Sequence, residues 1–90
     1  MYYALFYDTV DDYVTRRQPF RPAHLAHAAK AHGAGLLRLA GAFNPADAAL
    51  FVFQAEDAKA VEEFARTDPY VLNGLVKGWR VREWTVVVGG

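Results

Sequence analysis

The sequence predicts an α+β domain with its elements in the order β-α-β-β-α-β, and three observations lead to that reading. Apolar runs over Tyr2–Tyr7, Leu36–Phe43, Ala49–Gln54 and Trp79–Val88 have the length of strands. Two stretches, Pro22–His32 and the one opening at Glu56, repeat apolar residues at helical spacing. Glycines and prolines punctuate the junctions between them. At 90 residues the chain has room for one hydrophobic core, so residues 1–90 are expected to form a single domain.

Tyr2 to Tyr7 is an unbroken aromatic and aliphatic run ending at Asp8, as expected of a strand buried on both faces. A polar stretch from Asp11 to Gln18 leads into Pro19-Phe20-Arg21-Pro22, where two prolines impose extended backbone before a helix begins. Pro22 suits the first helical position. In the helix from Pro22 to His32, Leu25, Ala28, Ala29 and His32 form one apolar stripe, and Gly33 and Gly35 end it.

Leu36–Phe43 and Ala49–Gln54 flank an Asn44-Pro45-Ala46-Asp47 turn and read as a hairpin. Glu56 and Asp57 open a second helix that turns Val61, Phe64 and Ala65 one way and Lys59, Glu62, Glu63 and Arg66 toward water. It stops before Pro69, a short turn spans Pro69 to Asn73, and the last strand follows Gly74.

This order is the ferredoxin-like βαββαβ arrangement: a four-stranded antiparallel sheet with two helices on one face. Strand one is apolar on both of its faces, as is strand three with Phe51 and Phe53 on one side and Leu50 and Val52 on the other. Two helices cover only one face. A wide uncovered apolar sheet face marks an interface, so the expected assembly is a homodimer joined through that open face.

Composition narrows the function classes. Ten basic residues balance ten acidic ones, so no long-range field draws the chain to nucleic acid or to an anionic membrane surface. Cysteine is absent, which removes disulfides, thiolate catalysis and cysteine-ligated metal. The opening residues lack a basic lead and a small-residue cleavage site, and no apolar run reaches the roughly 20 residues of a membrane span, so a cytoplasmic location is expected. No glycine loop of the phosphate-cradling kind occurs, which disfavours nucleotide chemistry.

His24 falls in the first turn of the first helix, about a quarter-turn from the Leu25/Ala29/His32 stripe, at the border of the core. Asp68 precedes Pro69, a position that suits an N-cap of the following turn. His24 and His27 stand at a spacing two metal ligands can use, yet His27 points away from the stripe and nothing completes a ligand set, so neither metal nor cofactor is expected. His32 reads as a packed or capping residue. Arg16 and Arg17 read as solvated loop residues.

Three segments together resemble the YCII-related family: Arg21-Pro22-Ala23-His24-Leu25, Leu39-Ala40-Gly41-Ala42-Phe43, and Phe64-Ala65-Arg66-Thr67-Asp68-Pro69-Tyr70-Val71 leading to Gly74. The resemblance runs nearly end to end. It implies a ferredoxin-like subunit that pairs as a dimeric α/β barrel, with His24 and Asp68 lining a pocket. It also brings in Arg21, one turn before His24, as a holder of a carboxylate or phenolate. Tyr7 and Tyr70 are candidates for the pocket wall. After Gly41 the chain departs from the family's pattern, reading Ala42-Phe43-Asn44-Pro45 with no acidic residue close behind.

The implied function is a small cofactor-independent enzyme in which Asp68 accepts from one ring nitrogen of His24 and the other nitrogen transfers protons. Its reaction would be of lyase or isomerase type on a small aromatic or carboxylated molecule; some relatives are associated with lyase or dehydrochlorinase chemistry on ring compounds. A serine nucleophile is excluded because the chain has no serine. The alternatives are a non-catalytic ligand-binding or accessory dimer, in which the His24/Asp68 pair merely satisfies buried polar groups, and a purely structural dimerisation module; the bland reading of Asp68 alone is a cap of the next turn.

Overall fold

The computed structural model describes residues 1–90. The elements are β1 (Tyr2–Thr9), α1 (Tyr13–Arg16), a 3-10 turn (Gln18–Phe20), α2 (Arg21–Gly33), β2 (Leu37–Ala42), β3 (Ala48–Gln54), α3 (Lys59–Thr67), α4 (Pro69–Leu72) and β4 (Val76–Trp84). The strands lie in the order β2-β3-β1-β4 with every neighbouring pair antiparallel, which is the ferredoxin-like arrangement. β1 is a central strand, consistent with its apolar residues on both faces.

The register decides which face each side chain serves. Tyr3, Leu5 and Tyr7 stand opposite Phe53, Phe51 and Ala49 on one side and opposite Glu83, Val81 and Trp79 on the other. These β1 and β3 residues are buried and form one core with Leu37 and with Val61, Phe64 and Ala65 of α3. The Phe64 ring sits 5.5 Å from Phe51 and 5.1 Å from Phe53, centroid to centroid, within the range of favourable aromatic packing. The alternate residues face the other side of the sheet. There Tyr2, Phe6, Leu50 and Val52 are half-buried, and Leu39 and Trp84 remain 70% and 47% exposed.

Several sequence expectations need correction. The core-facing stripe of α2 is rotated one residue from the predicted one: His24 is its buried residue and Ala28 and Ala31 pack on the core, while Leu25, Ala29 and His32 are exposed. An alanine-rich helix has little apolar contrast, so polar partners set its rotation. His27 also turns inward, its Nε2 3.0 Å from the Phe64 carbonyl and its ring stacked on Phe64 at 4.4 Å.

The stretch expected to be extended before α2 is helical: α1 and the 3-10 turn occupy it, and Arg21, directly before Pro22, has helical angles of φ −62° and ψ −44°. The last strand begins earlier and stops at Trp84 instead of continuing to Val88. Trp84 pairs with Tyr2, the first residue of β1, so beyond it β4 has no neighbour to bond. The Pro69–Asn73 turn contains a helical turn, α4.

Gly74 has φ +73° and leads from α4 toward β4, a left-handed conformation that costs a residue with a Cβ about 1 kcal/mol. Gly33 closes α2 at ordinary angles, with open space where a methyl would go. Gly74→Ala should therefore lower the unfolding free energy by about 1 kcal/mol, while Gly33→Ala leaves it unchanged or raises it by up to about 0.5 kcal/mol. Urea denaturation of the two variants checks the contrast.

Candidate functional site

The site begins at the end of α3. Proline at 69 holds Asp68 extended, at φ −66° and ψ 126°, so the helix stops and the carboxylate turns into the protein. Asp68 is fully buried. Its Oδ2 accepts a hydrogen bond from the Tyr7 hydroxyl at 2.7 Å. Its Oδ1 accepts from the Tyr70 backbone N–H at 3.0 Å and lies 2.8 Å from His24 Nδ1. The same oxygen thus caps α4 and meets the imidazole, so the cap and the His–Asp pair coexist.

A carboxylate is an acceptor, so the short contact places a proton on Nδ1 of His24. Nε2 then has no protein partner, and the ring forms part of a cavity wall. The imidazole is fixed in angle as well as position: it stacks on the Tyr70 ring at 3.7 Å with 5° between planes, and Phe51 meets it edge-on at 6.1 Å. Burial and the adjoining Asp68 carboxylate push the Tyr7 phenol far above the ordinary tyrosine range, so it stays a hydrogen-bond donor.

The cavity measures about 350 Å³, at the small end of ligand-binding clefts. His24, Tyr70 and Phe51 line it together with Tyr13, Arg17 and Arg21, and small residues of β2 and β3 (Ala40, Gly41, Ala42 and Ala49) complete the wall. A depression of equal volume on the opposite sheet face, between Phe6, Leu50, Arg82 and Trp84, contains no histidine and belongs to the uncovered apolar face.

Of the residues expected at the site, His24, Asp68, Arg21 and Tyr70 come together. Tyr7 does not wall the cavity; it is wholly buried on the core face of β1 and reaches the site only through Asp68. His24 and His27 turn to different partners, Asp68 and the Phe64 carbonyl, and no three His, Asp or Glu side chains converge as a metal-binding group. Where the chain departs from the family pattern after Gly41, β2 contributes only Ala40, Gly41 and Ala42 to the wall.

Sequence reasoning missed Arg17 and Tyr13. Arg17 was assigned to solvent, yet it lines the cavity with its guanidinium carbon 5.0 Å from the centre of the Tyr13 ring. The signal was the four-residue spacing of Tyr13, Arg17 and Arg21, which carries meaning only once the segment is known to be helical.

The family model of the YCII-related domain matches residues 1–85. Among curated proteins, none matches the sequence. Among solved structures, a 5-chloro-2-hydroxyhydroquinone dehydrochlorinase from Burkholderia phenoliruptrix, in complex with 2,5-dihydroxybenzoquinone, superposes with a TM-score of 0.80 at 18% identity over 94% of each chain. At that identity the likeness is one of fold.

The Tyr7–Asp68 bond gives a pH-dependent prediction. Native Tyr7 keeps its proton where the unfolded phenol loses it, so the stabilisation is complete below about pH 10 and declines as pH rises above that value. Tyr7→Phe should cost about 2 kcal/mol at neutral pH, because it removes a bond to a buried carboxylate, and should make the alkaline decline shallower. Denaturation at neutral pH and above pH 10 measures both.

Proposed function

The chain belongs to the YCII-related family, and from that premise we propose that it is a small-molecule enzyme in which His24 is the general acid/base and Asp68 its orienting carboxylate. The observation that carries this reading is the buried pair itself: Asp68 holds Nδ1 of His24 at 2.8 Å and leaves Nε2 without a protein partner in the wall of the cavity. Nε2 takes a proton from the substrate, and the imidazolium so formed is stabilised by Asp68 on its far side and by the Tyr70 ring face 3.7 Å away. The same nitrogen returns the proton to the product or to a leaving group.

This chemistry serves elimination or isomerisation on a ring or carboxylated compound, with Arg21 binding an oxygen of the substrate. The dehydrochlorinase of like fold, solved with a quinone, supports substrates of that size and oxygenation. No cofactor enters the proposed cycle. Tyr7 and Tyr70 hold the dyad: Tyr7 through Asp68 Oδ2, Tyr70 through its backbone N–H and its ring.

The open sheet face is the proposed homodimer interface. Phe6, Leu50 and Val52 on that face are half-buried by one chain alone, and Leu39 and Trp84 stand out from it. Light scattering should return twice the 10.0 kDa mass of one chain, and Val52→Glu should return the mass of one. A wild-type monomer at micromolar concentration would contradict the interface.

The catalytic assignment is tested by screening hydroxylated aromatic and carboxylated compounds for binding, then for turnover. On any compound turned over, His24→Ala should lower kcat by roughly 100-fold or more and Asp68→Asn by roughly 10-fold or more, with binding largely kept. Turnover that survives both substitutions would overturn the dyad mechanism. Compounds that bind and are never converted would point to the non-catalytic reading.

A further inference from the structure

We propose that Arg17 and the Tyr70 hydroxyl form an anion-binding pole of the cavity, so that its ligand is a small planar aromatic molecule carrying a carboxylate or an equivalent oxyanion. The inference rests on the cavity being the substrate site and adds to that reading the charge and shape of the substrate.

Two buried side-chain polar atoms in the chain lack any hydrogen-bond partner, Arg17 Nε and the Tyr70 hydroxyl. Both belong to side chains of the same cavity wall. Orphaned buried polar atoms are uncommon, and two on one wall indicate acceptors that the protein does not itself supply. The donors' chemistry narrows what is missing. A guanidinium only donates, and a phenol with no partner is free to donate, so the absent group must present acceptor oxygens.

Charge points the same way. Arg17 and Arg21 both line the cavity, neither has a carboxylate within ion-pair distance, and no acidic side chain is among the lining residues. Asp68 lies behind the imidazole and is already engaged by Tyr7, His24 and the Tyr70 N–H. The cavity is therefore cationic at one end with no internal counter-charge, and a planar carboxylate is the anion that a guanidinium fork matches best.

The geometry around Arg17 is held, not loose. Its guanidinium lies over the Tyr13 ring, and Tyr13, itself 5% exposed, meets the Tyr70 ring edge-on at 5.7 Å. Arg17, Tyr13 and Tyr70 thus form a packed chain that ends at the imidazole. The rest of the lining includes the Phe51 and Tyr70 rings and the small residues Ala40, Gly41 and Ala42, apolar surfaces that suit an aromatic ring.

The test is calorimetric titration of matched acid and amide pairs, benzoate against benzamide and salicylate against salicylamide, on the wild type and on Arg17→Gln, Tyr70→Phe and Arg16→Gln. Arg16 is exposed and does not line the cavity, so its variant removes the same charge from the same segment. The wild type should bind each acid at least roughly 10-fold more tightly than its amide. Arg17→Gln should erase most of that preference, Tyr70→Phe part of it, and Arg16→Gln none.

Equal binding of acid and amide, no binding of either acid, or equal losses in Arg16→Gln and Arg17→Gln would each overturn the proposal. Anion preference that depends on Arg17 but comes with no turnover of any compound supports this proposal and counts against the catalytic reading alone. Turnover of neutral ring compounds without any preference for anions does the reverse.

Discussion

A carboxylate buried away from water must have its oxygens satisfied by protein, and Asp68 meets that constraint by drawing together three parts of the chain. Tyr7 comes from the middle of the sheet, His24 from the first turn of α2, and the Tyr70 N–H from the start of α4. Leaving any one donor away would strand charge at full burial, a cost of several kcal/mol in a protein whose whole stability is of that order. The arrangement therefore sets the distance of α2 from the sheet and its rotation. It also aims the imidazole, because Tyr70 is fixed by the same residue that holds Nδ1.

Much of this was legible in the sequence, and the parts that were not have physical causes. Strand and helix order could be read because Tyr2–Tyr7, Phe51–Phe53 and the Val61/Phe64/Ala65 stripe carry large apolar residues whose periodicity is unambiguous. Asp68-Pro69 announced a helix end by local chemistry, and the structure places that end there. The rotation of α2 was misread because its alanines do not distinguish a buried face from an exposed one. Two inward histidines, engaged by Asp68 and by the Phe64 carbonyl, settle a phase that apolar periodicity leaves open.

Other misreadings concern partners that lie far away in sequence. β4 ends at Trp84 because β1 begins at Tyr2, which no property of the apolar run Val86–Val88 reveals. The Tyr13–Arg21 segment looked like a polar linker bounded by prolines. Its helical turns appear once Tyr13 is seen packed with Tyr70 and Leu75 in a small second core beside the site. That second core converts Arg17 from a solvated charge into a cavity residue. Tyr7 went the other way, from expected wall to buried support, because alternation along β1 sends it into the main core.

The division of labour at the cavity follows from these placements. The negative charge lies behind the imidazole, on Asp68, while the charged side chains that line the cavity beside His24, Arg17 and Arg21, are cationic. The proposed base depends on one proton: Nδ1 of His24 must carry it, held by Asp68, for Nε2 to accept another. Ring-nitrogen NMR of the neutral His24 imidazole tests this most directly. Nδ1 should be protonated, with a strongly downfield proton that is lost in Asp68→Asn, and Nε2 unprotonated; an Nε2–H tautomer in the wild type would rule out Nε2 as the base.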